Sequence, residues 1–340
     1  MNKPNFLRDS DCAGFYHWPP LWIGTPPAEQ GSDLTPALLN AEVFASNLAC
    51  GVRLKVSKQA FFIFDFAQWQ LGSAVLAKDT LDNWEARVFA RMRFMNLFLA
   101  CFYTSMFRNQ NRTSAKFFVD YTTYVAVRSF VLDPGQGHCD LRQSNSIRAA
   151  EEWHVKFKPT CDTVSEDVLR AAIDMTDAAI SKDSDDTAIL AELLLHSFYL
   201  CESGKYEASH ISAWTIVERC LNERWNTHLS ELDNQHVAAG SEEKFINSGR
   251  KKKLTGHDFT ASIISEFLSL SGILPFDKYK LASRVRQTRN DWLHKLQTID
   301  QAKAAEAIVL AQFMLRETGV FDAEIPFNLL GTIPIAWISE

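Results

Sequence analysis

The sequence predicts an α+β protein: a mixed strand-and-helix domain of unassigned role over residues 1–160, an all-α helical bundle over 161–320, and an apolar tail over 321–340. Three observations carry this. Val52-Arg53-Leu54-Lys55-Val56 alternates with a period of two, as a half-buried strand does. Phe61-Phe62-Ile63-Phe64-Asp65-Phe66 is a short apolar run of the length of a buried strand. After Ser165 the apolar residues recur at spacings of three and four, the period of a helix. The change falls near Pro159-Thr160.

In the first part, Pro19-Pro20 and Pro26-Pro27 punctuate loops around Leu21-Trp22-Ile23. A long helix is expected from Asp79 to about Phe107, capped by Asp79 or Thr80, whose side-chain oxygens can accept a free backbone N–H. Val88, Met92, Met95, Leu99 and Phe102 supply its stripe. Arg87, Arg91 and Arg93 on the same helix read as a solvated face, with phosphate contact the less favoured reading. Ala115 to Leu132 returns to strand character, Asp133-Pro134-Gly135 is a turn, and Trp153–Lys158 is a strand stopped by Pro159.

Six helices are expected in the second part. The first opens at Ser165 and carries Val168, Leu169, Ile173 and Ala179, with Glu166 and Asp167 in its first turn, where negative charge suits the helix N-terminus. The second runs from Asp185 to Ser203-Gly204, a C-terminal glycine signal. The third runs from Lys205 to about Trp225, the fourth from Thr260 to Ser271, the fifth from Asp277 to about Thr298, and the sixth from Asp300 to Thr318. Arg250-Lys251-Lys252-Lys253 reads as a basic loop before the fourth helix.

Composition bounds the function. The net charge is -6, so any nucleic-acid contact must come from a local patch. Seven cysteines, an odd number at irregular spacing, point to reduced thiols in the cytoplasm rather than a disulfide framework. No signal peptide and no membrane contact are expected, since the longest apolar run, Phe94 to Phe107, falls short of the ~20 residues a spanning helix needs. Cys139 beside His138, with His154 and Cys161 downstream, lacks zinc-ligand spacing, so no metal and no cofactor are expected. There is no phosphate-binding glycine loop and no nucleophile elbow. His196 and His210 fall on apolar helix faces and read as core histidines.

The chemistry concentrates on the fifth helix. At ~100° per residue, Leu281, Val285, Trp292, Leu296 and Ile299 form one narrow stripe facing a core. Arg286, Asn290 and His294 form a second stripe on the far side, and Arg289 lies between the two. From Asp277 to Lys295, six Lys and Arg stand against two Asp. Arg284, Arg286 and Lys295, with Lys251 and Lys252 of the basic loop, are therefore candidate RNA-binding residues.

Arg289-Asn290-Asp291-Trp292-Leu293-His294, set in the penultimate helix of a helical domain, resembles the Arg-polar-x-x-x-His motif of the HEPN superfamily of ribonucleases and binding domains. The likeness covers residues from about 162 to 318, including the approach through Ile273-Leu274-Pro275-Phe276 and the Trp214–Trp225 helix. It implies that Arg289, Asn290 and His294 are catalytic. Imidazole can exchange a proton near neutrality, guanidinium stays charged and offers a fork of donors to phosphate oxygens, and a carboxamide can orient its neighbours. It further implies metal-independent attack by the RNA's own 2′-hydroxyl, with two copies pairing through the helix that carries His294. A toxin or antiphage setting is implied, with an antitoxin or other regulatory partner. The alternative is a HEPN-like domain that binds or dimerises without cutting.

Overall fold

A computed structural model describes residues 11–17, 21–25, 36–69, 84–110, 117–127, 130, 132, 162–181, 185–239, 244–256 and 259–326. The chain divides into two compact units, Met1–Leu195 with Glu324–Glu340, and His196–Ala323. The architecture is α+β, with an antiparallel sheet in the N-terminal part and helices after it.

In the first unit, strands β1 (Cys12–Tyr16), β2 (Leu21–Ile23), a short helix α1 (Pro36–Leu39) and strands β3 (Glu42–Asn47), β4 (Arg53–Ser57) and β5 (Phe61–Asp65) precede helix α2 (Trp84–Gln110). Strand β6 (Val125–Val127), strand β7 (Asp162–Val164) and helix α3 (Glu166–Ser181) follow. Five strands form one antiparallel sheet in the order β3-β4-β5-β1-β6, and β2 and β7 pair in parallel. The alternation expected at 52–56 is present: Leu54 and Val56 are buried and Arg53 is exposed. β5 lies between β4 and β1 and is buried throughout, which is why its sequence is a run rather than an alternation. Phe62 and Phe64 meet Phe98 of α2 at ring centroids of 5.8 and 5.4 Å, while Phe61 and Ile63 pack with Cys12, Val125 and Val127. Asp65 is buried at the end of this strand, where Arg53 and the Ala67 N–H both donate to it.

Gly14 is where β1 can come close to β5. A Cβ there would stand 2.2 Å from the Phe62 carbonyl oxygen. Gly14→Ala is expected to force the strands apart and cost about 1–3 kcal/mol, read as a lower midpoint in chemical denaturation.

α2 organises the rest of this unit. Asn96, fully buried, donates to the Val119 carbonyl (3.0 Å) and accepts from the Val119 N–H (2.8 Å), which holds the 117–120 segment. That segment is not a strand; only Val125–Val127 of the expected 115–132 stretch pairs in the sheet. Arg91 pairs with Asp11 and Arg93 with Glu192, so these two arginines serve packing rather than a solvated face. α3 buries Val168, Leu169, Ala172 and Ile173, and Ser105 of α2 donates to the Val168 carbonyl at 2.9 Å. The domain change expected near Pro159 therefore comes later in the structure, at Leu195/His196, because the first helix of the expected bundle packs on α2. Glu324 returns to α2, with its carboxylate on Arg108 and its N–H on the Thr104 hydroxyl, so the tail expected from residue 321 begins by packing. Asp79, Thr80, Cys139, His154, Cys161, the strand expected at 153–158 and the tail beyond Pro326 lie outside the described residues.

Helix α4 (Asp185–Glu202) contains the division between the units. The second unit continues with α5 (Tyr206–Ala238), α6 (Ser248–Leu254), α7 (Ala261–Leu270), α8 (Phe276–Lys295) and α9 (Gln301–Glu317). α5 runs well past the expected end near Trp225. Its last turns are polar, with Leu229 the final buried residue, so the stripe thins while no glycine or proline breaks the helix. α9 is capped by Asp300, whose side chain accepts from the Lys303 N–H, packs along α5, and buries Ala304, Ala307, Ile308 and Ala311. No helix among the described residues is long and apolar enough to cross a membrane.

Candidate functional site

α8 starts after Pro275, where the missing N–H costs nothing, and ends at Lys295. It buries Ala282 and Val285, and leaves Leu281 and Trp292 half-buried. Arg286, Arg289 and Asn290 are half-buried, and His294 is exposed in the last turn. The far-side position expected for His294 is thus what the helix presents.

The apolar stripe is shorter than expected. Leu296 is 83% exposed and not part of any core. The helix has already ended: Leu296 adopts a left-handed conformation (φ +53°), a rare state for a side chain with a Cβ. Its N–H bonds the Trp292 carbonyl, and the Gln297 N–H bonds that of Asp291. A wheel drawn through Lys295 stops predicting directions there.

Within the motif, Arg289 Nη1 donates to Asn290 Oδ1 at 3.3 Å. His294 makes no hydrogen bond to either residue among the described contacts, and lies about 7.5 Å further along the axis and ~140° around it from Arg289. Asp291 accepts from Lys295 and from Gln287, each at 2.8 Å, and the Lys295 ammonium draws its carboxyl below the usual range. Arg284 reaches across to Glu306 of α9 at 3.2 Å. Two of the candidate RNA-binding cations, Lys295 and Arg284, are therefore engaged in exposed ion pairs. Such pairs are worth only about 0–1 kcal/mol and can be exchanged for phosphate.

The expected basic loop is a capped helix. Asn247 accepts from the Arg250 N–H at 3.0 Å to open α6, which presents Lys251, Lys252 and Lys253 to solvent. Trp225 donates to the Leu254 carbonyl at 2.8 Å, tying α6 to α5. The signal was present as an Asn cap three residues before Arg250, but Gly249 in the first turn and a run of four like charges read more readily as loop.

His210 of α5 is the residue whose part in positioning the site was not foreseen. It is fully buried, with Nε2 at 3.0 Å from the Val285 carbonyl of α8 and Nδ1 at 3.2 Å from the Lys303 carbonyl of α9. One imidazole thus joins three helices, one turn before Arg289. Glu207, a turn earlier on α5, accepts from the Ile299 N–H at 3.3 Å and holds the connection that follows His294.

Among the described residues no group of three His, Cys, Asp or Glu is placed to hold a metal ion. No protein-family model, curated protein or solved structure matches the chain.

Proposed function

We propose that the protein is a metal-independent endoribonuclease whose site, formed by Arg289, Asn290 and His294, is completed by the same helix of a second copy. The observation that carries the reading is the exposed His294 at the end of a helix that also holds a contacting Arg289–Asn290 pair. His294 and Arg289 diverge within one copy, so a single phosphate is best gripped when a second α8 supplies the complementary group. The apolar surface around the histidine supports such pairing: Leu293 and Leu296, on either side of it, are exposed.

The chemistry follows from the groups. The imidazole takes the proton of the RNA 2′-hydroxyl or protonates the departing 5′-oxygen. The 2′-oxygen attacks the adjacent phosphorus, the bond to the 5′-oxygen breaks, and a 2′,3′-cyclic phosphate and a 5′-hydroxyl result. Arg289 faces the charge that develops on the phosphate oxygens, and Asn290 orients it. Arg286, Arg284, Lys295, Lys251 and Lys252 draw the RNA backbone. The setting this reading implies is a toxin or defence effector, held in check by a partner.

The test is incubation of the purified protein with tRNA and mRNA in EDTA, followed by mapping of the new ends. Cuts that resist EDTA and carry 5′-hydroxyl ends support the proposal. RNA retained by the protein but left intact across a broad set of RNAs sinks it, and leaves the non-catalytic binding module.

A further inference from the structure

α7 is buried on one face only. Ile264, Ser265 and Leu268 are covered, whereas Ile263, Phe267 and Leu270 are exposed, Leu270 at 77%. Positions i, i+4 and i+7 share one helix face, so these three form a continuous stripe. The stripe does not end with the helix. The chain reverses through residues 271–275 into α8, whose first residue, Phe276, is 63% exposed, and Tyr279 one turn on donates to Glu266 of α7. A lone exposed leucine needs no explanation, but a run across two helices marks an interaction surface.

The charge around it is one-sided. From Lys244 to Arg284 there are eight Lys and Arg against three acidic residues, Asp258, Glu266 and Asp277, in a chain whose net charge is -6. α6 lies beside the stripe: Trp225 bonds the Leu254 carbonyl and packs on Phe267, with ring centroids 6.0 Å apart. On α8, Lys280 sits over the Phe276 ring at 4.3 Å. Apolar side chains of alternating helical spacing, flanked by cations on two helices, match the opposite face of an acidic amphipathic helix.

We infer that this surface docks an acidic amphipathic helix from a partner protein, its Leu, Ile or Phe side chains on Ile263, Phe267, Leu270 and Phe276 and its carboxylates towards α6 and Lys280. Two other occupants fit worse. A second copy would bring the same cations face to face. Ile263 and Leu270 offer no π face to a nucleobase. An anionic membrane, which the same cations would attract, is an outcome of the test below. The surface does not include Arg289, Asn290 or His294 and its test reads peptide binding rather than cleavage, so this inference fails separately from the nuclease reading even though α6 serves both.

The test uses the full chain and a labelled synthetic helix with Leu on one stripe and Glu elsewhere, read by fluorescence anisotropy. The expected result is binding about tenfold or more tighter than that of the scrambled peptide, a difference of about 1.4 kcal/mol, which weakens as salt is raised. Leu270→Glu with Phe276→Glu should abolish it, and Lys253→Glu with Lys280→Glu should weaken it and flatten the salt dependence. All four positions are on the surface, and circular dichroism confirms that both variants stay folded. Equal binding of the scrambled peptide, or no binding of the Leu–Glu helix, overturns the inference. So does capture of phosphatidylserine vesicles or oligouridylate that the first variant abolishes, or a concentration-dependent dimer that it dissociates.

Discussion

His294→Ala is expected to lower RNA cleavage about 10²–10⁴-fold, the usual contribution of one positioned acid or base, while the melting curve of the protein stays where it was. The two halves of that expectation come from the same fact. His294 is exposed and makes no contact that the fold relies on, so its removal leaves no cavity and no unpaired buried group. Arg289→Lys should fall between wild type and alanine, because the charge remains while the planar fork is lost, and Arg289 also gives up its contact with Asn290 Oδ1. Mixed dimers test whether the site is shared. Co-expression of Arg289→Ala and His294→Ala chains leaves one intact arginine and one intact histidine, on different copies. A site built across α8 and its symmetry mate regains part of its cleavage in that mixture. A site contained in one copy regains none, and that result removes the paired-helix half of the proposal.

The helix that carries this site was legible because its period is regular where packing is regular. Val285 and Ala282 face inward and His294 faces outward, as ~100° per residue requires. Legibility ended with the helix. Leu296 looked like the next apolar position on the stripe, yet the left-handed turn at that residue sends it into solvent, and no glycine announced the stop. α6 was missed for a different reason. Charge density in Arg250–Lys253 outweighed the one capping residue, Asn247, whose hydrogen bond becomes visible only in three dimensions. β4 and β5 were read correctly from alternation and from a short apolar run, but which helix covers them was not. A periodic stripe shows that α3 has a buried face without showing that the face belongs to α2, and this is why the change of unit was placed too early in the chain.

His210→Ala is expected to be among the costliest single changes in the helical unit, about 3–5 kcal/mol, since it combines a cavity with the loss of the one hydrogen bond the neutral imidazole donates where two buried carbonyls converge. The imidazole is fully buried where α5, α8 and α9 meet, against Val285 and Lys303. Burial pushes its pKa below the ordinary histidine value; the contacts with the two carbonyl oxygens favour the protonated form and offset part of that push. The sign of the pH dependence follows. In the unfolded chain the imidazole takes up its proton near pH ~6.5, whereas in the folded protein it does so only at lower pH. The unfolded state therefore binds more protons in between, and the stability that His210 contributes is complete above pH ~6.5 and is lost as pH falls through the folded value. Asp291, whose carboxyl is lowered by Lys295, acts in a separate and more acidic window. Denaturant titrations at pH ~7.5 and pH ~5.5 separate the contributions. His210→Gln keeps an N–H for one carbonyl but cannot titrate, so it should be less stable than wild type at the higher pH and lose less on acidification. If wild type and His210→Gln lose the same stability between the two values, the acid sensitivity does not come from this histidine. Because Val285 lies one turn before Arg289, loosening this junction should also disturb the cleavage site, and a loss of activity that tracks the unfolded fraction distinguishes that effect from the chemical loss at His294.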